Sequence, residues 1–379
     1  MLSMNKIVSF LLIFLFINGS FAVIFSDVSV LELVEDSWNT KAPMCYPRDY
    51  LGVIAVDGKI YAIGGARGTN DYVGTNERYD PKTDTWTTLE PMPTARRSFA
   101  IAAYDGKIYC IGGMIVNPGP ALFTPLSVNE VYDIATNSWS TLKIHAPIRG
   151  TLYAHAVDGK IFVINLGGEL AMYDPIMDVW TNKTSTPSPF DCVSDSAVVD
   201  GKIIVIHSIG TAVGIEPGVK IYDPKTDQWT EGSTPTYVGS FYWIERVVAT
   251  TGVYAPQRLY VLGASGLSNN VYDPVSDTWL TAKAMPAARS QFGIAVVKDI
   301  LYVIGGHSIG EYGVQSSSLN EQYVPIGYKG AVSAPNPSVT TEPSNSSEAP
   351  VLYVVVAVLI LSIGTFAMGL FLYRNKRKK

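Results

Sequence analysis

Residues 57–86 read DGKIYAIGGARGTNDYVGTNERYDPKTDTW, and this order of features returns along most of the chain. An Asp-Gly turn precedes an apolar run that ends in two glycines. Tyr-Asp-Pro follows, and a tryptophan stands seven residues after the tyrosine. Asp-Gly favours a two-residue hairpin turn because both central positions need positive φ. With the apolar segment before residue 57, the stretch predicts four short antiparallel strands.

The tryptophans set the period of the repeat. Six of the seven are Trp38, Trp86, Trp139, Trp180, Trp229 and Trp279, at steps of 48, 53, 41, 49 and 50 residues. A tyrosine stands seven residues before five of them. A four-stranded antiparallel sheet that recurs about every 48 residues is the pattern of a propeller blade.

These linked motifs resemble the kelch repeat over roughly residues 30–328. The glycine doublets that carry the resemblance include Gly64, Gly65, Gly112, Gly113, Gly305 and Gly306. Glycine permits close approach between neighbouring backbones, and we expect the tryptophans to pack between blades as structural residues. The fourth unit departs from the pattern, with His207-Ser208 in place of the doublet.

The spacing predicts an all-β, six-bladed kelch-like β-propeller. Second strands are expected to begin near 59, 107, 160, 202, 258 and 300. The sixth unit lacks a tryptophan, whereas Trp38 lies before the first complete unit. We expect the Trp38 strand to complete the sixth blade and close the ring, as in kelch propellers. Seven blades is the alternative.

The two ends of the chain carry targeting signals. Residues 1–22 combine Lys6, an apolar run and Ser20-Phe21-Ala22, which is typical of a secretory signal peptide; an uncleaved anchor is the alternative. Residues 351–373 contain no charge and are followed by the basic tail 374–379. As a helix, 23 residues are long enough to cross a membrane, and the basic tail predicts its cytoplasmic side.

The predicted organisation is therefore a signal peptide (1–22), a propeller (23–330), a Pro/Ser/Thr-rich stalk (331–350), one transmembrane helix (351–373) and a cytoplasmic tail (374–379). The N-terminus and the propeller would lie outside the cell, on a single-pass membrane protein. Asn182 and Asn345 fit the glycosylation pattern.

Charge excludes one class of partner. The formal net charge is −5, and once the six basic residues of the two apolar ends are set aside, 22 basic residues remain against 33 acidic ones. Nucleic-acid binding needs a basic surface, so we expect no nucleic-acid partner.

Length variation is concentrated between the second and third strands of each unit. The long connections belong to the sixth, first and second blades, over 307–318, 66–75 and 114–127. Because strands alternate in direction, these connections share one face, and the pattern is typical of a variable recognition rim on a rigid scaffold. We expect a wall over these three neighbouring blades, with contact residues Tyr72, Phe123, Glu311 and Tyr312. Tolerated insertions are the alternative.

Arginines recur in the connections that lead into each blade: Arg48, Arg96, Arg97, Arg149 and Arg289. These connections share the face of the wall. The kelch resemblance implies that arginines at such places line the axial pocket and bind acidic ligands, since guanidinium pairs with carboxylate through two hydrogen bonds. Hydrogen bonding within the propeller, or a solvated rim, is the alternative.

The sequence contains no serine nucleophile elbow, phosphate-binding loop or paired-cysteine motif. The four histidines show no close ligand spacing, so no metal and no cofactor are expected. The three cysteines are an odd set; Cys110 reads as a core residue, and a bridge between Cys45 and Cys192 is not expected, because they lie several blades apart.

The sequence therefore favours a surface recognition or adhesion module that binds an extracellular protein or glycan through one propeller face. One alternative is a membrane-tethered enzyme acting on carbohydrate or peptide at the axis, and a third is a structural surface-layer component. Whether the protein is an enzyme stays open, with binding favoured.

Overall fold

The structure is a computed structural model that describes residues 11–17, 20–26, 33–68, 71–115, 123–187, 192–211, 214–233, 246–263, 267–310 and 313–330. These residues form strands and turns, with no helix among them. The predicted stalk, transmembrane segment and tail, together with Asn345, Glu311 and Tyr312, lie outside the described residues.

Six four-stranded antiparallel sheets form the blades of a propeller. The strands of blade 1 are β4 (Gly52–Val56), β5 (Lys59–Ile63), β8 (Asn76–Asp80) and β9 (Thr85–Leu89). Those of blade 2 are β10 (Ala100–Tyr104), β11 (Lys107–Ile111), β14 (Asn129–Asp133) and β15 (Ser138–Thr141). Those of blade 3 are β16 (Leu152–Val157), β17 (Lys160–Asn165), β18 (Leu170–Asp174) and β19 (Val179–Asn182).

The remaining blades follow the same plan. Blade 4 contains β20 (Cys192–Val199), β21 (Lys202–Thr211), β22 (Gly214–Asp223) and β23 (Gln228–Gly232). Blade 5 contains β24 (Arg246–Ala249), β25 (Leu259–Leu262), β26 (Asn269–Asp273) and β27 (Thr278–Thr281). Blade 6 contains β28 (Gly293–Val297), β29 (Ile300–Ile304), β32 (Asn320–Val324) and the N-terminal β3 (Ser37–Lys41).

The N-terminal strand closes the ring. β3 pairs antiparallel with β32, with Trp38 opposite Tyr323. The seven-residue step from tyrosine to tryptophan produces the same pairing inside the other blades, as for Tyr79 and Trp86. The predicted six blades and their closure by the Trp38 strand are both confirmed.

The repeated glycines have two local causes. Asp57 and Gly58 both adopt positive φ, 49° and 71°, in the turn between β4 and β5. In the doublet, Gly65 has φ 98°, and a Cβ there would lie 2.5 Å from the carbonyl oxygen of Asp49. The doublet therefore lets the second strand meet the incoming connection at a distance that no side chain permits.

Apolar packing lies between blades. The clusters join the facing sides of neighbouring sheets, as where Tyr109 and Ile111 of blade 2 meet Ile161 and Val163 of blade 3. Each repeat tryptophan packs on the tyrosine of its own blade, with ring centroids 5.1 Å apart for Tyr79 and Trp86. These pairs pack within a blade, and Trp86 also packs against the cluster that joins blades 6 and 1.

A separate two-stranded hairpin precedes the propeller, with β1 (Leu11–Ile17) antiparallel to β2 (Ser20–Ser26). It lies largely within the segment that we predict to be a signal peptide. Over the described ranges, no helix has the length and apolarity needed to cross a membrane.

Candidate functional site

The long connections form short ribbons on one face of the propeller. They are β6 (Ala66–Arg67) with β7 (Asp71–Tyr72) on blade 1, β12 (Met114–Ile115) with β13 (Thr124–Pro125) on blade 2, and β30 (His307–Gly310) with β31 (Gly313–Ser316) on blade 6. We call these three ribbons the wall, and the face that carries them the wall face.

The wall ribbons of blades 1 and 6 are joined by a hydrogen bond. The backbone N–H of Gly68 on blade 1 donates to Ser316 Oγ on blade 6 over 2.9 Å. The first residue of each ribbon also bridges the connection that enters its blade, as Ala66 does with Asp49. The expected wall is therefore present, and β21 with β22 adds a fourth extension, on blade 4.

Three of the predicted arginines are buried inside the propeller. Arg48 is fully buried and pairs with Glu77 over 2.6 Å. Arg96 pairs in the same way with Glu130, and Arg289 with Glu321. Each guanidinium also donates to backbone carbonyls of its own blade, as Arg48 Nη1 does to Gly64 at 2.9 Å.

These contacts assign Arg48, Arg96 and Arg289 an internal role. None of them lines the axial cavity, so they correspond to the alternative of hydrogen bonding within the propeller and not to the expected grip on a ligand. Blade 3 supports this role because it lacks both partners: the aligned positions there hold Ile148 and Ala171, which pack together in an apolar cluster.

Arg97 is placed differently and meets two of the predicted contact residues. Its guanidinium carbon lies 4.4 Å from the ring centroid of Tyr50, 5.7 Å from that of Tyr72 and 5.5 Å from that of Phe123. Phe123 is 51% exposed. No carboxylate pairs with Arg97 among the residues that the structure describes.

Arg149 lies in the equivalent position of the next blade, in the connection that enters blade 3, and is exposed. It too has no ion-pair partner within the described ranges. The structure thus brings together Arg97, Tyr72 and Phe123 and leaves Arg149 on the adjoining rim.

An axial cavity of about 330 Å³ runs along the first strands of all six blades. Blades 1, 2 and 6 contribute mainly aliphatic side chains. Blades 3, 4 and 5 contribute the polar ones: His155, Ser196, Asp195 and Arg246. Tyr50 and Gln291, both at positive φ, lie at the end of the cavity that faces the wall.

Asp195 and Arg246 are the charged groups of the cavity. Asp195 Oδ2 lies 3.6 Å from Arg246 Nη1 and accepts the backbone N–H of Val247 at 3.1 Å. A bulge between Val193 and Asp195 precedes this position, and bulges often re-aim a side chain near a site. Burial raises the pKa of Asp195 to about 6, although Arg246 and the backbone donors act in the opposite direction.

Two further cavity groups are neutral near pH 7. Burial lowers the pKa of His155 to about 4, and its Nε2 lies 2.7 Å from Ser196 Oγ. Burial raises the pKa of Tyr50, with Arg97 and Arg246 acting against it. Among the described lining residues, the cavity therefore holds one carboxyl with a pKa of about 6 beside one arginine.

A Ser-His-Asp chain stabilises the wall. His307 Nδ1 donates to Asp49 Oδ2 at 2.9 Å, and its Nε2 lies 3.1 Å from Ser290 Oγ. All three residues are more than nine-tenths buried, and none lines the cavity. The chain therefore ties the blade 6 ribbon to the connections that enter blades 6 and 1.

Sequence reasoning missed Tyr50, Asp195 and Arg246. Asp195 and Arg246 pair with Ile206 and Leu262, as Gly52 pairs with Ile63 in blade 1. Charged residues therefore occupy a position that holds glycine in blades 1 and 6. An alignment of the six first strands would have shown this substitution. No group of three or more metal-ligating side chains occurs among the described residues.

Comparison with known proteins identifies the repeats. A model of the Kelch motif matches residues 47–93 and 95–143. Kelch-like protein 35 of Mus musculus is 30% identical over 176 residues, which cover 43% of this chain and 28% of that protein. Kelch-like protein 7 of Rattus norvegicus is 40% identical over 208 residues, covering 53% and 35%. Kelch-like protein terF of Aspergillus terreus is 26% identical over 214 residues, covering 47% and 44%.

The solved structure of YjhT has the same fold at 15% identity, with a TM-score of 0.57 over 73% of this chain and 95% of that one. The match spans less than half the length of each of the three Kelch-like proteins. The chain contains kelch repeats and folds as a six-bladed β-propeller.

Proposed function

We propose that the protein is a cell-surface recognition or adhesion module that binds an acidic protein or glycan through the wall face. The observation that carries the proposal is the cluster of Arg97, Tyr50, Tyr72 and Phe123 at the cavity mouth. It combines a cation that no described carboxylate neutralises with exposed aromatic surface. Kelch propellers typically serve as protein–protein interaction modules, which favours a protein ligand.

Electrostatics support the same face. The protein is acidic overall, with 33 acidic residues against 28 basic ones. Arg97 and Arg149 are nevertheless free of ion pairs among the described residues. Within the described part of the chain, Arg246 has a single carboxylate neighbour, Asp195, at 3.6 Å. A carboxylate brought to this mouth gains charge-assisted hydrogen bonds.

The direction of the strands supports display of the wall. β32 runs away from the wall face and ends at Val324, and β3 begins at the same opposite face. The last described strand of the propeller therefore leaves it at the face opposite the wall, away from the Arg97 cluster. The signal peptide, the span and the extracellular location remain proposals from the sequence.

Selection from a random peptide display library tests the proposal, with the full-length protein in mild detergent as bait and a glycan array run in parallel. We expect selected peptides to be rich in Asp and Glu and to lose binding to the Arg97→Glu/Arg149→Glu variant. Array binding without peptide binding would identify the ligand as a glycan. Ligands that bind this variant as well as the wild type would overturn the assignment.

An axial enzyme is the second candidate, favoured by Asp195, whose pKa near 6 suits acid–base chemistry. Turnover of carbohydrate or peptide substrates that Asp195→Asn abolishes would support it. Ordered self-association of the full chain would instead favour a surface-layer component.

A further inference from the structure

Five of the six junctions between blades contain the same hydrogen-bonded staple. At these five junctions, the residue four positions after the repeat tryptophan donates its backbone N–H to an Asp or Asn side chain of the next blade. The backbone carbonyl of the same residue accepts the indole N–H of the tryptophan in that next blade. Ala42 shows the pattern, with Asp84 Oδ1 at 2.9 Å and Trp86 Nε1 at 2.8 Å. The equivalent residues are Glu90, Thr184, Ser233 and Lys283.

The junction between blades 2 and 3 lacks this staple. Trp180 Nε1 is buried and has no hydrogen-bond partner among the residues that the structure describes. Asp178 accepts the hydroxyl of Tyr173 at 2.7 Å, and within the described ranges no backbone N–H of blade 2 reaches it. The expected partner is Lys143, four residues after Trp139.

One extra residue at the exit of blade 2 explains the gap. Met44 and Met92 each stand six residues after their tryptophan and donate a backbone N–H to the connection before the third strand of their blade. In blade 2 the same bond is made by Ala146, seven residues after Trp139. The chain therefore bulges at Lys143–Ile144–His145, and Lys143 is displaced from the staple.

The hydrogen bond of the Asn129 side chain shows the same one-residue shift. In blades 1, 5 and 6 the asparagine that begins the third strand donates to the carbonyl of the staple residue, as Asn76 does to Glu90 at 3.2 Å. Asn129 donates instead to Ile144, one residue further along, at 2.9 Å. Blades 1, 2 and 6 contain the buried Arg–Glu pair, and the described residues of blades 3, 4 and 5 do not.

We propose that the ring opens first at the junction between blades 2 and 3. A buried indole N–H without a partner is costly, and two hydrogen bonds present at every other junction are missing there. Apolar packing of Leu142 and Trp180 on the neighbouring cluster still holds this junction closed at equilibrium. The bulged segment is followed closely by Arg149, so opening of this junction would also move that arginine relative to the rest of the wall face.

Thiol labelling under native conditions tests the proposal with a matched pair of positions. Cys110 and Val163 each stand three residues after the lysine of their second strand, and both are fully buried. Cys110 packs at the junction of blades 1 and 2, and Val163 at that of blades 2 and 3. Cys45 and Cys192 are replaced by serine in both proteins, and the second protein carries Cys110→Val with Val163→Cys.

We expect the thiol at position 163 to react about tenfold faster than Cys110. Two missing hydrogen bonds of ordinary strength lower the free energy of opening enough to raise the opening equilibrium constant by about that factor. Equal or slower labelling would overturn the proposal. Deletion of Ile144 should restore the register of Lys143 and slow the labelling; an unchanged rate would contradict the assignment to the missing staple.

A second pair of variants keeps the test independent of the introduced thiol. Trp86→Phe removes an indole N–H that is bonded, whereas Trp180→Phe removes one that is not. We expect the Tm of Trp86→Phe to fall about 2 °C further than that of Trp180→Phe. An equal fall would contradict the missing hydrogen bond.

Discussion

The guanidinium of Arg97 stacks on the ring of Tyr50, with its central carbon 4.4 Å from the ring centroid. Tyr50 lines the axial cavity and holds positive φ, 53°. The stack covers one face of the guanidinium and leaves its charge without a described carboxylate partner. A cation held by aromatic rings keeps its planar N–H edge available to a ligand.

Reversal of the charge at the mouth should weaken the binding of acidic ligands. We expect Arg97→Glu to weaken binding of a library-selected acidic peptide at least tenfold, since charge-assisted hydrogen bonds across an interface commonly contribute about 1.5–3 kcal/mol. Isothermal titration measures the change. Lys82→Glu, an exposed substitution on the opposite face, is the matched control, and an equal loss there would indicate a nonspecific charge effect.

Breaking a buried Arg–Glu pair should strongly destabilise the propeller. Arg48→Ala leaves Glu77 buried without its cation, for an expected loss of about 3–5 kcal/mol in the free energy of unfolding. Urea unfolding measures this loss. The double variant Arg48→Ile/Glu77→Ala copies the pair Ile148 and Ala171 of blade 3 and should recover most of the stability. A double variant no more stable than the single one would show that the pair does more than balance charge.

Stability should depend on pH through Asp195 and His155 in opposite directions. The folded pKa of Asp195 is about 6, against about 3.9 in an unfolded chain. The folded state therefore holds the proton more strongly, and raising the pH from about 4 to 6 lowers the free energy of unfolding. His155 has a folded pKa of about 4 against about 6.5 unfolded, so the same rise in pH increases stability.

The Asp195→Asn variant isolates the carboxyl in this pH dependence. Between pH 4 and 6 its stability should rise with pH more steeply than that of the wild type, by roughly 2–3 kcal/mol over the interval. Denaturant unfolding at several pH values measures the difference. Parallel curves for the two proteins would show that Asp195 has an ordinary pKa.

Asn182 offers a test of the extracellular location. It ends β19, the outermost strand of blade 3, and its side chain is exposed. In a eukaryotic secretory host we expect glycosidase treatment to lower the apparent mass of the wild type in one step more than that of Asn182→Gln. Identical shifts would show that no glycan is attached at this position.

The blades could be predicted from the sequence because each strand and turn of the repeat is specified by residues that are close together in the chain. Asp-Gly turns and the pairing of tyrosine with tryptophan inside a blade depend on short spacings. Closure by the Trp38 strand joins residues far apart in the chain, and it was predictable because the sixth unit lacks a tryptophan; it is confirmed. The wall was also predictable, since loop length is read directly from the chain.

The arginines were harder to place because their burial depends on partners far along the chain. Arg48 finds Glu77 only when the connection folds back on the third strand of its blade. The joint presence of Arg and the Asn-Glu pair in blades 1, 2 and 6, and their joint absence from blade 3, was the available signal. The position of Asp195 could not be predicted from strand alternation because a bulge in its strand places it in the cavity.

Hydroxyl-radical footprinting of the full-length protein, with and without the selected acidic peptide, tests most directly whether the wall face binds ligand. Both faces carry side chains that the radical oxidises: Tyr72 and Phe123 on the wall face, and exposed Ile176 and Met177 in the turn between β18 and β19 on the other. We expect the peptide to protect Tyr72 and Phe123 and to leave Met177 unchanged. Protection of Ile176 and Met177 with no change at Tyr72 and Phe123 would contradict binding at the wall.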